Sequence, residues 1–130
     1  MKIFQHNPET VPSPVGNYSQ AVEVSGQARL LFISGQIPET VSGEVPADIE
    51  SQCEIIWNNI HEILKTSGMS FANLVKVTTY LTDAKHSQIA GDIRRRTLGD
   101  VRPALTALVV QTLDSAWLLE IEAIAVAEDK

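Results

Sequence analysis

Apolar and polar residues alternate along several stretches of the chain and recur every three to four residues along two others. Residues 18–24 set Tyr18, Gln20, Val22 and Val24 against Ser19, Ala21 and Glu23, a strand pattern. After the turn at 25–28, residues 29–34 (Arg-Leu-Leu-Phe-Ile-Ser) form a second strand, and the two predict a hairpin. Residues 74–81 are β-branched and alternating, so they predict another strand, as do 117–126 near the C-terminus. Residues 2–5 fit a short edge strand. Residues 102–111 read as a buried strand, entered through Pro103 where a missing N–H does little harm, and apolar enough to be covered on both faces.

The helical spacing is clearest at Ile49, Cys53, Ile56, Ile60, Ile63 and Leu64, with Trp57 widening the stripe. Asp48 stands near the N-cap, Glu50 suits the first turn, and Gly68 is placed to end the helix. A second, shorter helix is predicted over 84–98, with Ile89, Ile93 and Leu98 on one side and Thr82-Asp83 before it. The order β-β-β-α-β-α-β-β predicts an α+β fold in a single domain over residues 1–130, one sheet with two helices on one face. Val77, Tyr80, Ala107, Val109, Ile121 and Ile124 cannot all point at those helices. The surplus apolar face predicts a closed homo-oligomer.

Composition narrows the functional classes. The formal net charge of −6 repels phosphate backbones, which argues against a nucleic-acid partner. The one dense basic run, Arg94-Arg95-Arg96, reads as a solvated helix face or a subunit contact. The single cysteine, Cys53, permits no intrachain disulfide and falls on the apolar stripe of the first helix. The N-terminus lacks the apolar core of a signal peptide, and no apolar run reaches the ~18 residues of a membrane span. A cytoplasmic protein with no membrane partner is expected. His6, His61 and His86 are scattered, so no metal site is predicted. There is no Gly-rich phosphate loop, and Ser34-Gly35 lacks the nucleophile-elbow pattern. The informative polar residues lie within apolar strands. Glu120 and Glu122 share one face, opposite Leu119 and Ile121, and Tyr18 carries a hydroxyl able to reach a ligand.

Six stretches taken together carry a resemblance. Gly16-Asn17-Tyr18-Ser19-Gln20-Ala21, Phe32-Ile33-Ser34-Gly35-Gln36-Ile37-Pro38, Gly43-Glu44-Val45-Pro46-Ala47-Asp48, residues 74–83, Arg102-Pro103-Ala104 and Glu120-Ile121-Glu122-Ala123-Ile124-Ala125 resemble the RidA family, also called YjgF or Rid. The resemblance runs in order along nearly the whole chain. It implies a chorismate-mutase-like fold and a barrel-like homotrimer, with sheets inside, helices outside and ligand clefts between neighbouring subunits. The activity it implies is hydrolysis of 2-imino or enamine acids to 2-oxo acids and ammonia, with no cofactor and no metal.

Carried over by position, the resemblance makes Glu120 the residue that positions the attacking water. It makes Tyr18, Gly35, Leu105, Thr106 and Ala107 the ligand-binding residues. Leu105 stands where the family has the arginine that grips the substrate carboxylate, so this chain reads as a divergent member. The leading expectation is a trimer that binds a small metabolite other than the usual 2-imino acid. A second reading keeps the deaminase and takes the missing cation from Arg94, Arg95 or Arg96 across an interface. A third is a non-enzymatic regulatory or interaction trimer.

Overall fold

A computed structural model describes residues 1–129. Asp48 accepts a hydrogen bond from the Ser51 N–H at 2.9 Å and so caps helix α1, Ile49–Thr66. Cys53, Ile56, Trp57, Ile60 and Leu64 are its buried face, as the three-four spacing predicts. Gly68, at φ +67°, takes the left-handed conformation that closes the C-terminus. The N–H groups of Gly68 and Met69 then turn back to Lys65 and Leu64. Asp83 likewise accepts from the Lys85 N–H ahead of α2, Ser87–Leu98, which follows a single 3-10 turn at Ala84–His86.

Six strands accompany these helices: β1 Lys2–His6, β2 Ala21–Ser25, β3 Ala28–Gln36, β4 Leu74–Leu81, β5 Ala104–Val109 and β6 Leu119–Glu128. The main sheet has four strands in the order β3-β6-β4-β5, and β4 and β5 run parallel across the α2 crossover. Both helices pack on one face of it. There Ile33, Val77, Leu81, Leu119, Ile121, Ala123 and Ala125 meet the α1 stripe and Ala90, Ile93 and Leu98 of α2. The α+β class with two helices on one side is therefore as expected.

Three expectations need correction. The predicted hairpin between 18–24 and 29–34 does not form, and the sheet is not single. β2 pairs instead with β1, Ile3 facing Val24, to make a separate two-stranded ribbon. β3 lays its ladder against β6, Phe32 facing Ile124. The nine-residue β3 has an apolar face that only the core side of the main sheet can cover, and the turn at Gly26 (φ +87°) sends it there. The stretch 102–111 is also not a strand covered on both faces within one chain. β5 is an edge strand, and Thr106, Ala107, Leu108 and Val109 are exposed. Its apolar run is the same whether neighbouring cover comes from its own chain or another.

The sheet face away from the helices carries Leu30, Phe32, Ile124, Tyr80, Glu120 and Glu122. Phe32 is 70 % exposed and Leu30 57 %, a large apolar surface for a sheet face to leave uncovered.

Candidate functional site

The open face holds a compact polar group. In the β4–β6 ladder Glu120 lies opposite Tyr80 and Glu122 opposite Thr78, so period-2 alternation places these side chains on the face away from the helices. The Tyr80 hydroxyl donates to Oε1 of Glu122. That bond, with burial and the charges of Glu122 and Glu120, pushes the Tyr80 hydroxyl above its usual range, so it remains a donor. Gly35 lies where the β3–β6 register shifts, between Ile33 and Gln36. A Cβ built on Gly35 would overlap Oε2 of Glu120 and lie 2.8 Å from its Cδ. Only a glycine lets the Glu120 carboxylate lie against this part of β3. Gly35, Tyr80, Glu120 and Glu122, together with residues 110–113, line a concavity of about 360 Å³. Gln111 and Thr112, polar groups in this lining, had no signal in the sequence because they lie in a loop beyond β5.

The second group lies at the other edge of the sheet. Ser19 is buried and bridges Ala104. Its N–H donates to the Pro103 carbonyl at 3.0 Å and its hydroxyl to the Arg102 carbonyl at 2.6 Å. These bonds hold Tyr18 at the entry of β5, in a bend rather than in the strand expected over 18–24. The Tyr18 hydroxyl accepts from the Val15 N–H at 3.3 Å. Arg94 lies on α2 and is part-buried. Burial pushes its guanidinium below the usual arginine range, the charge of Arg95 adds to this, and Tyr18 acts in the opposite sense.

The basic run is thus not one surface. Arg95 pairs with Asp92, Arg96 reaches Glu54 at 3.7 Å, and Arg94 has no ion pair or hydrogen bond among the described residues. Arg102, the remaining basic residue near β5, donates to the Gly99 and Val101 carbonyls at 2.6 and 3.2 Å.

The expected site residues separate accordingly. Gly35 and Glu120 come together on the open face. Leu105 stands beside Val77 and Ala107 beside Thr79, on the helix side of β5, and Leu105 packs against the core. Thr106 points the other way and accepts from Nζ of Lys76 at 2.7 Å. Alternation keeps Thr106 from sharing a surface with Leu105 and Ala107. Gly35 on β3 and Leu105 on β5 occupy opposite edges of the four strands. At about 4.8 Å per strand that is roughly 14 Å, beyond the reach of one small metabolite.

Among the described residues no three His, Cys, Asp or Glu side chains are grouped to hold a metal ion, and no helix is long and apolar enough to cross a membrane. A second, broader groove of about 1080 Å³ runs between the segment after β3 and helix α1, and its lining includes Glu39, Glu44, Glu54 and Glu62.

Comparison with known proteins agrees with this architecture. The family model described as Endoribonuclease L-PSP matches residues 8–127. A RutC family protein of Pyrococcus horikoshii is 38% identical over 122 residues, covering 92% of this chain and 94% of that protein. A Bos taurus protein named 2-iminobutanoate/2-iminopropanoate deaminase is 38% identical over 117 residues, covering 88% and 83%. The crystal structure of a protein of the conserved Rid family from Yersinia pestis superposes with a TM-score of 0.82 at 31% identity, covering 98% of this chain and 100% of that one. The chain belongs to the Endoribonuclease L-PSP family, the group also known as RidA, YjgF or Rid.

Proposed function

We propose that this protein binds a small metabolite in a cleft completed by a second copy of itself, in a closed homotrimer. The observation that carries the reading is the division of the site residues between the two edges of one sheet. Gly35 and Glu120 form one half near β3, and Tyr18, Leu105 and Ala107 form the other at β5. If the β5 edge of one copy meets the β3–β6 side of the next, both halves face the same ligand. A head-to-tail contact of this kind closes into a ring. The exposed Phe32 and Leu30 and the edge of β5 beyond the Ser19–Ala104 bridge support such a contact, because each is apolar surface or backbone in need of cover.

The chemistry this cleft suits is hydrolysis of a carbon–nitrogen double bond. Water adds to the imine carbon, and its proton passes to the Glu120 carboxylate as the C–O bond forms. Glu120 hands that proton to the nitrogen, giving a carbinolamine, and the carbinolamine's hydroxyl proton then follows by the same carboxylate to the nitrogen as the C–N bond breaks, which releases ammonia and leaves an oxo group. The bovine relative's name supports an imine substrate. Leu105 provides no charge, so a ligand carboxylate is not gripped from β5.

Light scattering on the purified protein tests the assembly. A mass of three 14.2 kDa chains is expected, and a mass of one chain overturns the reading. Imine hydrolysis, with 2-iminobutanoate supplied in place by a threonine dehydratase, tests the chemistry. Glu120→Gln is expected to slow it by about a hundredfold, the lower end of what a positioned base contributes. An unchanged rate removes Glu120 from the reaction.

A further inference from the structure

We propose that Tyr80 is a positioning residue for the hydrolysis: by donating to Glu122 it holds that carboxylate aside and reserves proton transfer on the open face for Glu120. The inference rests on the role given to Glu120 above, and it adds the two residues that keep that role with one carboxylate.

Three features of the open face carry it. First, Glu120 and Glu122 are two positions apart on β6, about 7 Å along the strand, and both line the same concavity. No lysine, arginine or histidine shares that lining among the described residues, and Lys76, the cation of β4 on this face, gives its Nζ to Thr106. Two half-buried carboxylates with no cation between them compete for a proton released there. Second, the two are held differently. The ladder sets Tyr80 opposite Glu120, yet the Tyr80 hydroxyl reaches past that partner and donates to Oε1 of Glu122. The bond occupies one oxygen of Glu122 and fixes the direction of its carboxylate. Glu120 makes no side-chain hydrogen bond or ion pair among the described residues, and its carboxylate rests against Gly35 with its oxygens left for water and ligand. Third, Tyr80 keeps its proton: the bond to Glu122, then burial and the two carboxylate charges, hold its hydroxyl above the usual tyrosine range, so the donor is present throughout neutral pH. The water that adds to the imine carbon therefore gives its proton to Glu120, which passes it to nitrogen. Without the Tyr80 hydroxyl, Glu122 is free to turn toward that water, and a proton taken there is not delivered to nitrogen.

The test is a double-mutant cycle on imine hydrolysis by the full-length protein, with 2-iminobutanoate supplied by a threonine dehydratase, read beside the affinity for 2-oxobutanoate. Tyr80→Phe is expected to slow hydrolysis about tenfold while the affinity stays within about twofold. Glu122→Gln keeps an acceptor for the phenol but removes the charge, and is expected to cost about threefold. In the Glu122→Gln background, Tyr80→Phe should cost less than about twofold, so the double variant is faster than Tyr80→Phe alone. A merely structural role gives losses that add. A double variant as slow as Tyr80→Phe, or slower, overturns the proposal, and so does Tyr80→Phe at the native rate. Loss of all hydrolysis in Glu122→Gln also overturns it, by making Glu122 the base, and this arm does not depend on Tyr80→Phe folding. The rate of Glu120→Gln separates the two readings. A slow Glu120→Gln with additive losses in the cycle removes only the role of Tyr80. Glu120→Gln at the native rate, or a native protein that hydrolyses no imine, removes the role of Glu120 and this proposal with it.

Discussion

The Glu120 carboxylate lies against the backbone of Gly35 so closely that a Cβ on Gly35 would sit 2.8 Å from its Cδ. Gly35 has no left-handed φ, so the glycine is required by the carboxylate and not by the backbone. Gly35→Ala is therefore expected to swing Glu120 aside at little cost to folding. Imine hydrolysis should fall at least tenfold while the melting temperature moves by no more than a few degrees, because the displaced atoms are the end of a flexible side chain. A large loss of melting temperature would show that Gly35 serves the fold instead.

Tyr80 and Glu122 give a pH dependence of known sign. The Tyr80 hydroxyl is held above its ordinary value of 10.0, first by its hydrogen bond to Glu122, then by burial and by the Glu122 and Glu120 charges. A folded value above the unfolded one stabilises the fold below the unfolded pKa, and that stability is lost as pH rises through the folded pKa. Ultraviolet titration of the two tyrosines is expected to show one ionising late. Glu122→Gln should bring that step back toward 10.0.

Gln52 secures the segment that leads into β6. It is fully buried, its amide nitrogen donates to the Pro46 and Ala116 carbonyls at 2.7 and 2.8 Å, and its oxygen accepts the Leu118 N–H at 2.8 Å. Gln52→Leu keeps the volume and leaves three backbone groups without partners. Urea denaturation is expected to show a loss of about 3 kcal/mol, the low end for three unsatisfied groups, with an unchanged slope.

Cys53 is 0 % exposed, and burial, with the charges of Glu54 and Glu50, raises its thiol to about 11. The thiolate is the reactive form, so the native protein at pH 8 should not react with a disulfide reagent such as Ellman's reagent, and the urea-unfolded protein should react fully. Prompt reaction of the native protein would place Cys53 outside the core.

Where local pattern decides structure, the sequence was informative. β4 spans Leu74–Leu81 as the alternation predicts, α1 begins after Asp48, and Gly68 ends it. Pairing was not legible. Tyr18–Val24 alternates as well for β1 as for β3, and only the tertiary placement of β3 on the core decides between them. The apolar run of β5 gave no sign that it is an edge, since burial by another chain leaves the same pattern as burial by its own. Glu120 was visible as an acid in an apolar strand, and Gly35 through the resemblance. Which arginine of Arg94–Arg96 lacks a partner depends on Asp92 and Glu54, and the latter is 42 positions away on another helix.

Mixing two disabled variants tests most directly whether the site is shared between copies. Gly35→Leu obstructs the β3 half and Ala107→Trp the β5 half, and each alone is expected to bind no 2-oxobutanoate. Unfolded together and refolded in equal amounts, they should regain about one quarter of the native sites per chain, because each site in a closed ring draws one half from each of two neighbours. A mixture that regains no sites would place both halves of the cleft within one chain and contradict the account.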